Sequence, residues 1–106
     1  LNNLSILFTG DIEKEAEFEL LHSSTLTSSI LKVPHHGSKT SSTDLFLNLV
    51  KPKISIISAG KNNRYKHPNI QVLARLKDIS TVLQTKISGA IMVDLSKKIT
   101  IKTFLN

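Results

Sequence analysis

The sequence predicts an α/β domain built on one hydrophobic core. Apolar runs of four to six residues alternate with amphipathic helical stretches. At 106 residues and 40% hydrophobic composition, the chain has enough apolar material for a single core. The residues best suited to chemistry, Asp11, His35, His36 and the stretch from Lys61 to His67, all follow the carboxyl ends of predicted strands. In open α/β sheets ligands bind at that edge.

The elements follow in order. Leu4 to Phe8 reads as a buried strand that ends at Thr9-Gly10-Asp11. Ile12 to His22 reads as a helix with Ala16, Phe18, Leu20 and Leu21 inward; Glu13, Glu15, Glu17 and Glu19 lie near its start, where the helix dipole favours acids. Ile30 to Val33 is a second strand, stopped by Pro34. Ser41 or Ser42 can cap a helix running to Val50 whose apolar face is Leu45, Phe46, Leu49 and Val50. After Lys51-Pro52-Lys53, the run ISIIS (54 to 58) is a third strand, followed by Ala59-Gly60 and a polar loop. Pro68 suits the first position of a helix with Val72, Leu73, Leu76 and Ile79 as its core stripe. The tail reads as three short strands, TVLQT, AIMVD and ITIKTF, the last two forming a hairpin across Ser96-Lys97-Lys98.

Composition excludes several classes. There are no cysteines, so disulfides and thiolate metal sites are ruled out, and any metal must be held by His, Asp or Glu. No apolar run approaches the roughly 18 residues needed to span a bilayer, and the start, LNNLS, lacks the pattern of a signal peptide. The chain opens at Leu1 in the approach to a strand, which leads us to expect a piece of a longer protein. Charge is lopsided: residues 1 to 50 hold three Lys and six acids, whereas residues 51 to 106 hold eleven Lys or Arg and two acids. A basic half of this kind suits a polyanion such as nucleic acid, and equally a solvated lysine-rich face.

The stretch ILKVPHHGSKTSS, residues 30 to 42, is the most distinctive. It delivers two adjacent histidines to a strand tip, then Gly37, which allows a tight turn. Consecutive strand side chains point opposite ways, so one histidine is expected to be a ligand and the other its support. Asp11 reads either as a helix N-cap or as a metal carboxylate. The hydroxyls of Ser38, Thr40, Ser41 and Ser42 suit caps better than catalysis. There is no H-E-x-x-H, Gly60-Lys61-Asn62 is not a P-loop, and no G-x-S-x-G elbow is present. A catalytic zinc normally takes three protein ligands plus water, and residue types alone nominate only one Asp and one or two His.

Taken together, LFTGDIEKEAEFELL, ILKVPHHGSKTSS, ISIISAGKNNRYKHP and SGAIMV resemble the C-terminal half of the metallo-β-lactamase-like domain of ComEC-type DNA internalisation (competence) proteins, over roughly residues 4 to 93. The resemblance implies that residues 1–106 form half of a metallo-β-lactamase-like αββα sandwich, a mixed sheet with helices packed on one face. It implies a centre of two divalent ions, zinc or manganese, in the complete domain, held weakly or not at all by this piece, because the upstream H-x-D/H-x-D-H ligands are absent from it. Asp11 is then the bridging ligand and His36, or else His35, the other. The implied reaction is phosphodiester hydrolysis, with the ions acidifying water and neutralising charge that develops on the phosphate.

In that scheme Asp11, His36, His35 and Lys39 are the catalytic group, and Lys61, Asn63, Arg64 and His67 bind substrate. Implied partners are DNA, as single strand or non-transported strand, and the transmembrane channel segments of a parent membrane protein. The domain itself would be extracytoplasmic, and the piece alone inactive and prone to self-association. The alternatives are a related metallo-hydrolase acting on another phosphoester or a β-lactam, and a non-catalytic DNA-binding or interaction domain. Two positions depart from the family pattern: Lys66 stands where glycine is expected before His67-Pro68, and Lys86-Ile87-Ser88 replaces an Asp-Gln pair before Gly89.

Overall fold

The computed structural model describes residues 4–22, 26–60 and 66–104. Four short strands, β1 (Ile6–Phe8), β2 (Ile30–Lys32), β3 (Ile54–Ile57) and β4 (Thr81–Gln84), form a parallel sheet in the order β1-β2-β3-β4. Ile6 pairs with Ile30, Ile30 with Ile54 and Ile54 with Thr81, so the strand starts are level across the sheet. Because spatial order follows chain order, every crossover steps in the same direction. Right-handed crossovers therefore place α1 (Lys14–Leu20), α2 (Asp44–Val50) and α3 (Ile70–Ile79) on one face.

The core lies between that face and the helices. Leu31, Val33 and Ile57 from the sheet side meet Phe46, Leu47, Val50, Val72 and Leu76 from α2 and α3, with Leu7 and Val82 packed against them. Alternate strand residues turn to the other face, where Ile6, Phe8, Ile30, Lys32 and Ile56 line an open groove closed on one side by Ile91 and Val93. Those two belong to a separate antiparallel pair, β5 (Ile91–Asp94) and β6 (Thr100–Thr103), which follows a single turn of helix, α4 (Thr85–Ser88). The expected mix of pairing directions is thus divided between two sheets, parallel in one and antiparallel in the other. The hairpin turn is fastened by the Ser96 N–H, which donates to Asp94 Oδ1 at 2.8 Å and holds the Asp94 carboxyl below its ordinary pKa. Among the described residues no helix is long and apolar enough to cross a membrane.

Helix ends differ from the sequence reading for identifiable reasons. Thr43, not Ser41 or Ser42, caps α2, its hydroxyl accepting from the Phe46 N–H. That start turns Phe46, Leu47 and Val50 inward and leaves Leu45 and Leu49 exposed. On α1 Leu20 packs against the core as expected, but the fully buried residue is Glu17, and Phe18 is exposed. The Glu17 carboxylate accepts from the Ser42 N–H and, at 2.9 and 3.0 Å, from the Thr43 N–H and hydroxyl. It thereby satisfies donors in the chain leading into α2. Asn69 caps α3, accepting from Gln71 N–H at 2.9 Å, so Pro68 sits one residue before the cap rather than inside the helix.

Candidate functional site

The loops that leave β1, β2 and β3 meet at the carboxyl edge of the sheet, and backbone bonds hold them together. The His35 N–H donates to Gly10 O at 2.9 Å, joining the β2 loop to the β1 loop. Thr9 Oγ1 donates to Lys32 O at 2.5 Å across the same pair of strands. The Asn69 N–H donates to Gly37 O at 2.9 Å, joining the β2 loop to the start of α3. Gly10 turns at φ +58 and Gly37 at φ +81, backbone angles that glycine takes without strain.

Pro34–Gly37 form a tight, kinked turn with two consecutive non-glycine residues in the left-handed region, His35 (φ 51, ψ 43) and His36 (φ 56, ψ 23). Such angles cost on the order of 1–3 kcal/mol per residue and concentrate where a site needs them. Their effect here is positional. The expectation that the two rings diverge assumed an extended strand; in the turn they lie 6.3 Å apart, and both approach His67, at 5.8 Å from His35 and 6.2 Å from His36. Burial, followed by the neighbouring His35 and His36, pushes the His67 pKa below its ordinary 6.5.

The two histidines still have different partners. His36 Nδ1 lies 2.6 Å from the carbonyl oxygen of Ser58. A carbonyl only accepts, so Nδ1 carries the proton and the neutral ring keeps its lone pair on Nε2. That nitrogen lies 3.8 Å from Asp11 Oδ1. His35 Nδ1 instead lies 3.2 Å from Glu13 Oε2, too poorly aligned for a hydrogen bond, so it is buried with no such partner among the described residues. Glu13 Oε2 also accepts from Thr40 Oγ1 at 2.6 Å. The sequence offered no signal for Glu13 beyond its place in an acidic run two residues after Asp11. Ser58 could not have been found at all, because its contribution is a backbone carbonyl.

Other site residues fall into two groups. Lys39 is exposed and, with Ser38, Lys66, His67 and Asn69, lines a neighbouring cavity of about 330 Å³. Lys61, Asn63 and Arg64 lie outside the described residues. Among the described residues no group of three or more His, Cys, Asp and Glu side chains is placed to hold a metal ion. The Asp11 and His36 pair fits part of a donor set: a carboxylate oxygen and an imidazole lone pair face one another, and the imidazole's other nitrogen is fixed by a carbonyl, as ligating histidines usually are.

Residues 1–61 match the family model of the Metallo-beta-lactamase superfamily. The chain is 47% identical to ComE operon protein 3 of Bacillus subtilis over 90 residues, 83% of this chain and 12% of that protein. It is 38% identical to Competence protein ComA of Neisseria gonorrhoeae over 96 residues, 88% of this chain and 14% of that protein. It is 41% identical to Recombination protein 2 of Haemophilus influenzae over 92 residues, 85% of this chain and 11% of that protein. The chain therefore spans between 11% and 14% of the length of these three relatives. No solved structure matches it.

Proposed function

Because the chain belongs to the metallo-beta-lactamase superfamily, we propose that it is the C-terminal half of a metal-dependent hydrolase domain that cleaves phosphodiesters of incoming DNA in a competence protein. The observation that carries this reading is the His36 imidazole, fixed by the Ser58 carbonyl and presenting Nε2 to the Asp11 carboxylate. Those two residues would hold the ions, zinc or manganese. When bound, the ions supply Lewis acidity toward a phosphoryl oxygen and nucleophilic water at neutral pH. His35, whose Nδ1 lies 3.2 Å from Glu13 Oε2, would orient the neighbouring rings or contact substrate, and His67 with Lys39 would meet phosphate oxygens. Lys61, Asn63 and Arg64 complete the proposed substrate group.

The competence setting rests on the names of relatives, ComE operon protein 3 and Competence protein ComA. The half-domain reading is supported by the sheet. Parallel sheets are ordinarily covered on both faces, and here the exposed Phe8 and the half-buried Ile6 and Ile56 line an open groove opposite the helices. A second layer carrying the remaining ligands would cover it, and without that layer the piece is inactive. The parent protein would lie in the membrane, with this domain on the extracytoplasmic side.

The lopsided charge favours a second reading, a DNA-binding domain without catalysis. The experiment that separates them expresses the domain together with its upstream half, supplies Mn2+ or Zn2+ and single-stranded DNA, and compares wild type with Asp11→Ala and His36→Ala. The hydrolase reading expects metal-dependent cleavage lost in both variants. Cleavage undiminished in both removes the proposed site; DNA binding with no cleavage by wild type favours the second reading.

A further inference from the structure

We propose that the cavity beside the histidines is a subsite for a second phosphate group, receiving the phosphate next to the reacting one and so favouring a polynucleotide over a single phosphoester. The identity of the ligand rests on the hydrolase reading above; the anion preference rests on the cavity alone. It measures about 330 Å³, and Ser38, Lys39, Lys66, His67 and Asn69 line it, two cations and no acid. His67 belongs both to this lining and to the group of three rings, so the cavity adjoins the Asp11 and His36 pair. Consecutive phosphates of one strand can then occupy the two places together.

The lining is held rather than draped. Lys39 comes from the β2 loop and Lys66 from the segment before α3, and these are fastened by the Asn69 N–H bond to Gly37 O. Gly37 also abuts Pro68, so closely that a Cβ on residue 37 would lie 2.6 Å from Pro68 Cβ. Two cations on segments tied together by that backbone bond meet an anion with less ordering cost than two on independent loops. Asn69 commits its Oδ1 to the Gln71 and Val72 N–H groups, which leaves its NH2 as a donor at the positive end of the ten-residue α3. Thr40 gives its proton to Glu13, so Ser38 gives its own to Thr40. The donors for a phosphate are therefore the two ammonium groups and the Asn69 NH2.

Lys66 is the second pointer. Its backbone lies at φ +55, where glycine would sit without strain. A lysine kept there, with its side chain on the cavity, is the kind of outlier from which function is inferred. It also supplies a clean variant, because Lys66→Gly removes the ammonium while suiting the backbone.

The test is a titration of the 106-residue chain with inorganic phosphate, and separately with a short oligothymidylate, in EDTA at low ionic strength, followed by amide NMR shifts. The absence of metal keeps the outcome independent of catalysis. Saturable shifts at residues 38, 39, 66, 67 and 69 are expected. Lys39→Ala and Lys66→Gly should each weaken phosphate binding about fivefold to tenfold. Lys77→Ala, the same charge change elsewhere on α3, should leave it within about twofold. Repeating the titration on the domain joined to its upstream half gives the same comparison in the longer chain. Shifts that do not saturate, equal binding by the Lys39 and Lys66 variants, or an equal loss in Lys77→Ala would overturn the proposal.

Discussion

Replacing Glu17 by Gln changes one oxygen to an NH2 group at constant volume, so it tests whether this buried carboxylate fastens the histidine loop to the first helix. Glu17 is 0% exposed. One oxygen accepts from both the N–H and the hydroxyl of Thr43, at 2.9 and 3.0 Å, and the other accepts from the Ser42 N–H. A glutamine has one acceptor to offer. If it faces Thr43, its NH2 meets the Ser42 N–H, leaving two buried donors opposed. An unsatisfied buried donor costs about 1–3 kcal/mol, and release of a buried charge offsets part of that, so we expect a net loss of about 2–3 kcal/mol. At this chain length that lowers Tm by about 10–15 °C. Urea unfolding followed by circular dichroism reads the change directly. A Glu17→Gln variant within about 0.5 kcal/mol of wild type would refute the clamp.

Further outcomes follow from the same structure. Gly37→Ala should destabilise the fold by about 2–4 kcal/mol in the same assay, since residue 37 sits at φ +81 and the new Cβ would meet Pro68 Cβ at 2.6 Å. Phe46→Ala empties the centre of the core, where Phe46 is 0% exposed, and should cost about 3–5 kcal/mol. His67 should titrate below 6.5 by imidazole NMR, and removing His35 or His36 should raise its pKa. Its folded pKa is the lower one, so the unfolded chain binds the proton more readily. Stability from His67 is therefore complete above 6.5 and declines as pH falls from there toward the folded value, which pH-dependent urea midpoints would register.

The strands and the edge they present were legible because short, mainly apolar stretches bounded by polar or turn residues mark them, as in ILF, ILK and ISII, although β1 is not the buried strand expected: Ile6 and Leu7 are half-buried and Phe8 is exposed. The edge position of Asp11 and of the histidine pair was legible for the same reason, each following a strand end. Helix facing was less so. The acidic run on α1 gave no sign that Glu17 turns inward, because its partners are backbone N–H groups 25 and 26 residues away. The divergence expected of His35 and His36 failed because two left-handed residues cannot be read from the letters HH. Lys66 was noticed only as a departure from an expected glycine, and its φ of +55 supplies the physical reason that glycine suits the position. The Ser58 carbonyl, which orients His36, carries no side-chain signature.

Asp11 and His36, with His36 held through Nδ1, are the proposed metal-ligand pair. Titrating Zn2+ into the domain joined to its upstream half, while following the imidazole nitrogens by NMR, tests it most directly. His36 Nε2 should shift to a metal-bound value, Nδ1 should stay protonated against Ser58 O, and Asp11→Ala should weaken the binding by about tenfold or more. Metal-bound shifts at His35 with none at His36, or binding unchanged in Asp11→Ala, would contradict this assignment.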